Sequence, residues 1–283
     1  MRPETRHGQN FLVDLNLLDL IVHTANLGRR DVVLEVGTGL GSLTTRMAEV
    51  AGAIVTVEID SRIFALASEE LGEIPNVTML EQDALKNKNN MHPAVMETVR
   101  ERLAEIEGGR FKLVANLPYN IATPILSNLL TADPLPASMT GTIQKELADR
   151  IIARPGTKDY SALSIWMQAV SDVEIVRTMP PQAFWPRPKV TSAIVHIVPN
   201  AKKRSRIQDV EHFHQFVRGL FLHRRKFLRG VLVTMLKLQM DKSTVDEVLT
   251  ASGLSANARA EQLDVETLIS LAEAFRQRAL QAE

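Results

Sequence analysis

Asp31-Val32-Val33-Leu34-Glu35-Val36-Gly37-Thr38-Gly39-Leu40-Gly41 reads as a short buried strand that closes in a glycine turn and opens a helix. The run is brief, apolar and rich in valine, as a strand buried on both faces requires. Glycines at its end allow a tight turn and a close approach of backbone to a ligand. Further β-rich runs follow at Ala53 to Glu58, Val77 to Leu80, Phe111 to Ala115 and Met139 to Ile143. Helical patterns such as Leu43 to Val50 and Arg62 to Leu71 fall between them. Strands alternating with helices predict an α/β, doubly wound, Rossmann-like parallel sheet.

Outside this alternation the pattern changes. Lys86-Asn87-Lys88-Asn89-Asn90 reads as a polar loop, and Pro93 starts a helix whose face is Val95, Val99, Leu103 and Ile106, stopped by Gly108-Gly109. That helix is expected to pack beside the sheet. Beyond Gln144, helices are expected around Leu147 to Ile152 and from Ser161 to Val170. Val173 to Thr178 and Val190 to Val198 read as an antiparallel pair at the sheet edge, and Lys202 to Arg206 as a linker. From Val210 onward the pattern is entirely helical. The expected division is a sheet domain over residues 1–200 and a smaller all-helical domain over 201–283.

The chain holds no cysteine, so disulfides and thiolate metal sites are excluded. No apolar run approaches a membrane span, and the N-terminus leads into no apolar signal segment. Neither a metal nor a membrane is expected, and the cytoplasm is the expected location. Net charge is zero, with 33 basic and 33 acidic residues, yet it is unevenly spread. From Phe184 to Met240 there are twelve Lys and Arg against two acids, a local charge of +10 that leaves −10 for the remainder. A basic face on an acidic body suits a polyanion; its plainer reading is a solvated loop and an ordinary surface helix.

Glu58 ends the second strand, with Asp60 close by, and Asp83 follows the third. A carboxylate at the first position can accept both hydroxyls of a ribose, the adenosine-binding geometry of doubly wound sheets. Asp83 can accept a hydrogen bond from an adenine amino group. The glycine spacing is Gly-x-Gly-x-Gly, and Glu35 directly before it would repel a pyrophosphate but suit a cationic sulfonium such as S-adenosylmethionine. Strand-end solvation and helix capping remain open for these acids. After the fourth strand comes Asn116-Leu117-Pro118-Tyr119. The Asn116 side-chain oxygen and the Leu117 carbonyl can accept from an exocyclic amine. Pro118 offers no competing N–H, and Tyr119 can stack on a flat ring. The same four residues also suit a plain β-turn.

With these residues in place, the sequence resembles the adenine N6,N6-dimethyltransferases of small-subunit ribosomal RNA. The shared motifs are Gly8-Gln9-Asn10-Phe11-Leu12, Glu35 to Gly41, Glu58, Asp83, Asn116 to Tyr119 and Gln144-Lys145-Glu146. They continue with Phe184-Trp185-Pro186-Arg187-Pro188-Lys189-Val190, Arg224-Arg225-Lys226 and Arg259-Ala260-Glu261. The resemblance implies a methyltransferase sheet that binds S-adenosyl-L-methionine. Asn10 and Leu12 would line the methionine end, Gly37 and Gly39 would meet the cofactor through backbone, Glu58 would take the ribose and Asp83 the adenine. Asn116 would bridge cofactor and target amine. Phe184 would face a flipped-out adenine opposite Tyr119; without the resemblance it is a core residue. Lys202, Lys203, Arg204, Arg206, Arg224, Arg225, Lys226 and Arg229 would grip RNA phosphates. The implied partner is small-subunit ribosomal RNA or the immature small subunit, with the chain a monomer.

The chain departs from the family pattern at several points. Thr38 replaces a common proline, expected to alter only turn stiffness. Ser161 stands where glycine is frequent, the Pro93 to Glu107 helix is long, and Trp185 replaces a smaller residue. Three rivals are a dinucleotide-dependent oxidoreductase, a non-catalytic ribosome-assembly factor and a large-subunit rRNA adenine methyltransferase. The first leaves Asn116 to Tyr119 unexplained. The intact Asn-Leu-Pro-Tyr argues against the second, and Leu117 with the C-terminal helices argues against the third.

Overall fold

A computed structural model describes residues 10–255 and 257–281. Gly8 and Gln9 of the N-terminal motif lie outside the described residues. The chain divides into two compact units.

The first unit comprises residues 1–148 and 173–199. It starts with β1 (Phe11–Leu12), α1 (Leu15–Ala25), β2 (Asp31–Val36), α2 (Ser42–Ala48), β3 (Ala53–Glu58), α3 (Ser61–Leu71) and β4 (Val77–Glu81). Next come β5 (Leu85–Asn87), β6 (Asn90–Met91), α4 (Pro93–Ala104), β7 (Arg110–Asn116), α5 (Ala122–Leu129) and β8 (Ser138–Gln144). After α6 (Lys145–Ile151) and α7 (Ala162–Val170), the chain returns as β9 (Ser171–Met179), β10 (Phe184–Trp185) and β11 (Ser192–Pro199).

Seven strands form one sheet in the order β4-β3-β2-β7-β8-β11-β9. From β4 to β8 all pairings are parallel, whereas β11 runs antiparallel to β8. Every residue of β2 and β3 is buried, as a parallel sheet covered on both faces requires. Val33, Ile54 and Val114 share one buried cluster with Leu17, Leu18 and Ile21 of α1 and Leu43 and Met47 of α2. Helix α4 packs against β2, β3 and β7, as expected of the Pro93 helix. Strand order reverses between β2 and β7, so the crevice for a ligand opens at their carboxyl ends. Gly37 follows β2 there and Asn116 ends β7.

Two local expectations are corrected. Lys86 to Asn90 is the β5–β6 hairpin rather than a loop. Its closure is chemical: Asn87 Oδ1 accepts from the Asn89 N–H at 2.8 Å, and Leu85 and Met91 are buried beneath it. The expected edge pair is present as neighbours β11 and β9, but β9 alone is the edge and Val190 lies outside the strand.

The second unit comprises residues 149–172 and 200–283. It adds α8 (Ala201–Arg204), α9 (Val210–Phe221), α10 (Leu228–Met235), α11 (Lys242–Ala251) and α12 (Val265–Leu280). A single cut at residue 200 misses that α7 packs with α8, α9 and α12. The reason is visible in α7, where Trp166 is buried and stacks on His214 of α9 with centroids 4.3 Å apart. Ser161 caps α7, its N–H donating to Ser164 Oγ at 3.0 Å, which gives the departure from glycine a role. The expected linker at Lys202 to Arg206 begins as α8, because the Asn200 side chain accepts from the Lys203 N–H.

Among the described residues no helix is long and apolar enough to cross a membrane, and no group of acids and histidines could hold a metal.

Candidate active site

The crevice at the carboxyl ends of β2 and β7 is a cavity of about 360 Å3. Asn10, Leu12, Gly37, Gly39, Glu58, Asp83, Asn116, Leu117, Pro118 and Tyr119 all line it, together with Phe11, Glu35 and Ile59. The residues expected to hold a cofactor and those expected to hold an amine therefore share one cavity. Contact between the two groups is close. A Cβ built on Gly37 would stand 3.3 Å from Pro118 Cγ and 3.7 Å from the Asn116 carbonyl oxygen. One on Gly39 would stand 3.2 Å from the Phe11 ring. Both glycines also hold positive φ, 87° and 55°, which side-chain-bearing residues adopt at a cost.

Asn116 is oriented by two bonds. Its Nδ2 donates to the Asn10 carbonyl oxygen at 2.8 Å, and its Oδ1 accepts from the Thr142 hydroxyl. A backbone carbonyl only accepts, so it must face the Nδ2, and Oδ1 turns to the hydroxyl. Oδ1 keeps a second lone pair. Thr142 is fully buried on β8, the register partner of Asn116. Nothing in the linear sequence marks it; only the pairing of β7 with β8 brings it to the amide.

Tyr119 is pinned likewise. Its hydroxyl lies 2.6 Å from Ser192 Oγ at the start of β11. Burial of the phenol raises its pKa, an effect the Ser192 bond partly offsets, so the ring stays neutral. Phe184 is placed differently. It is 3% exposed, pairs with Leu12 across the β1–β10 ladder and belongs to the buried cluster, and it does not line the cavity.

Glu58 ends β3 with its carboxylate ringed by backbone donors. Oε2 accepts from the Gly39 N–H at 3.1 Å, and Oε1 from the Ile59 and Asp60 N–H groups at 3.0 Å each. Burial raises its pKa, and those three N–H groups pull it back. Asp83 is exposed at the rim, with Oδ1 accepting from the Leu85 N–H at 2.9 Å.

The expectation of a negative charge at Glu35 is corrected. Its side chain is buried, and burial pushes the carboxyl up to about 8 despite hydrogen bonds from Thr44 and Thr56. Glu35 is therefore mostly protonated at neutral pH. Thr38 does more than stiffen the turn. Its hydroxyl bonds that of Thr56 at 2.7 Å, and Thr56 in turn donates to Glu35 at 2.7 Å. The unfolded chain releases this proton near 4.5, the folded one near 8. Stability from the neutral acid is thus complete below about 4.5 and is lost as pH rises to about 8. Glu35→Gln, neutral throughout, should flatten that decline. Urea denaturation at pH 5 and pH 8 checks it, and identical pH dependence in both proteins would refute it.

The cations expected at RNA all lie in the second unit, and several of them are paired there. Lys203 bridges Asp172, Arg206 Glu266, Arg224 Glu261 and Arg229 Asp246. Lys202, Arg225 and Lys226 are exposed, and no ion pair to them occurs among the described residues. Arg204 is half-buried. Exposed ion pairs contribute only about 0–1 kcal/mol, so the paired cations can still exchange a carboxylate for a phosphate.

The model of a family described as ribosomal RNA adenine dimethylase matches residues 2–277. A Ribosomal RNA small subunit methyltransferase A from Alkaliphilus oremlandii is 40% identical over 259 residues, 92% of this chain and 87% of that protein. A namesake from Halothermothrix orenii is 35% identical over 264 residues, 93% of this chain and 85% of that protein. Among solved structures, a dimethyladenosine transferase from Plasmodium falciparum has a TM-score of 0.78 at 25% identity, covering 95% of this chain and 98% of that one. The 23S rRNA methyltransferase ErmE has a TM-score of 0.65 at 26% identity, covering 95% and 100%.

Proposed function

This chain belongs to the ribosomal RNA adenine dimethylase family, and from that premise we propose that it transfers methyl groups from S-adenosylmethionine to N6 of adenosines in small-subunit ribosomal RNA. The modified residues are two adjacent adenosines, each carried to dimethyladenosine, in an immature small subunit in the cytoplasm. The observation that carries this reading is the Asn116 amide, locked by Asn10 and Thr142 on the wall that also holds Gly37 and Glu58.

The residues present fit the cofactor. Gly37 and Gly39 line the cavity and bring backbone to its wall, Glu58 offers a carboxylate for ribose hydroxyls, and Asp83 stands at the rim for an adenine amine. When bound, S-adenosylmethionine supplies an electrophilic methyl carbon on a sulfonium. The chain supplies position and charge stabilisation. Adenine N6 is a poor nucleophile because its lone pair is delocalised into the ring. The free lone pair of Asn116 Oδ1 and the Leu117 carbonyl accept hydrogen bonds from its two N–H groups and draw it toward tetrahedral geometry. They also stabilise the positive charge that develops on N6. The methylated N6 then releases one of those protons to solvent. Tyr119, held by Ser192, presents a neutral ring for stacking. A paired adenine cannot enter such a cavity, so the target is unstacked or flipped out.

Relatives named for the small subunit are 35–40% identical along most of their length, against 26% for the 23S enzyme, which supports the small-subunit target. Mass spectrometry of small-subunit rRNA incubated with the protein and labelled S-adenosylmethionine tests it. Dimethyladenosine is the expected product; label in large-subunit rRNA alone would refute the reading.

Arg225 is the cleanest cation for an RNA test, since Arg224 also holds Glu261 and the Lys158 carbonyl. Arg225→Ala should weaken rRNA binding and reduce the salt slope by about 0.7–0.9 per lost phosphate contact. An unchanged slope removes Arg225 from the interface.

A further inference from the structure

Trp185 is an aromatic residue beside the site that plays no part in it so far. It is 49% exposed, although the buried Phe184 precedes it. Its ring stacks on Phe11 with centroids 6.2 Å apart and planes 20° from parallel, across the β1–β10 register pair Phe11 and Trp185. Phe11 lines the cavity and packs on Gly39; Trp185 does not line it. The aromatic pair thus runs from the glycine turn outward to the surface. Two exposed cations follow at once, Arg187 and Lys189, and neither has an ion pair among the described residues. A single exposed apolar residue needs no explanation. A half-exposed indole at the margin of a cavity, backed by a second ring and flanked by unpaired cations, matches a single-stranded nucleic-acid platform.

We propose that Trp185 stacks a nucleobase of the RNA substrate neighbouring the target adenine, with Arg187 and Lys189 meeting the flanking phosphates. The inference rests on the RNA-methylation reading above and adds a positioning residue on the catalytic unit itself. Stacking there costs the chain little reorganisation, because Phe11 already holds the indole in place. It would anchor the strand on either side of the nucleotide that enters the cavity.

The chain contains two tryptophans, and the other, Trp166, is buried against His214, which makes fluorescence selective. A single-stranded fragment of small-subunit rRNA should quench the parent protein, and Trp185→Phe should abolish the quench. Trp185→Ala should raise KM for RNA about tenfold or more, leave kcat within about twofold and leave S-adenosylmethionine affinity unchanged. Trp185→Phe, which keeps a ring, should fall between. A quench that survives in Trp185→Phe overturns the inference, as does an unchanged KM in Trp185→Ala. So does a quench by S-adenosylhomocysteine without RNA, which would make the ring a cofactor contact. Should the parent bind and quench with RNA yet transfer no methyl group to it, the platform stands and the methylation reading falls.

Discussion

Asn116→Ala is expected to lower kcat for rRNA methylation by at least about 10²–10³-fold, the scale for removing one preorganised transition-state hydrogen bond. RNA affinity should stay within about twofold, because the side chain is half-buried in the cavity and carries no charge. The substitution removes an acceptor and also strands the Thr142 hydroxyl and the Asn10 carbonyl. Thr142→Val separates these effects. It keeps Asn116 and its bond to Asn10 but removes one of the two bonds that orient the amide, so kcat should fall about tenfold, roughly one hydrogen bond's worth of orientation. Thr142→Ser, which restores the hydroxyl, should recover most of it. Single-turnover methylation and filter binding on the same rRNA provide both readouts. Equal loss of binding and catalysis in Asn116→Ala would count against the amide as the group that grips the target.

Glu58→Ala should weaken S-adenosylmethionine binding by about 10²-fold, equivalent to losing two hydrogen bonds to a charged acceptor. The carboxylate has a second task. It organises the turn by accepting from Gly39, Ile59 and Asp60, so its removal also leaves three N–H groups without their acceptor. The Asp60 N–H is buried and costs about 1–3 kcal/mol when left unpaired, so melting temperature should fall as well. Glu58→Gln keeps one acceptor oxygen and should show the smaller loss in both measurements. Calorimetric titration with S-adenosylmethionine decides the matter. An unchanged Kd in a folded Glu58→Ala protein would move the ribose site elsewhere.

Much of the site was legible because each residue stands at a strand end. Val36 to Gly37, Glu58, Asp83 and Asn116 follow successive parallel strands, and a doubly wound sheet delivers such ends to one crevice. Phe184 shows the opposite case. A motif residue placed by resemblance beside the base lies in the core, while its neighbour Trp185 faces outward, because adjacent residues on a strand point to opposite sides. Charge counting along the chain could not show which cations are paired, for a related reason. Asp172, Asp246, Glu261 and Glu266 are distant in sequence from the cations they pair with, so a window of residues could not include their negative charge. The segment 149–172 likewise lies between two strands of the sheet yet supplies a helix to the second unit.

The sequence alone determined the alternating strands and helices, the glycine turn, and the acids and amide that end the strands. Those features are local: side-chain period, backbone freedom at glycine and spacing from a strand end. Only the tertiary structure decided which hydroxyls orient Asn116 and Tyr119, that Glu35 keeps its proton, and which cations are already paired. Each of those depends on groups from other elements of the chain, whose approach and desolvation exist only once the elements have packed.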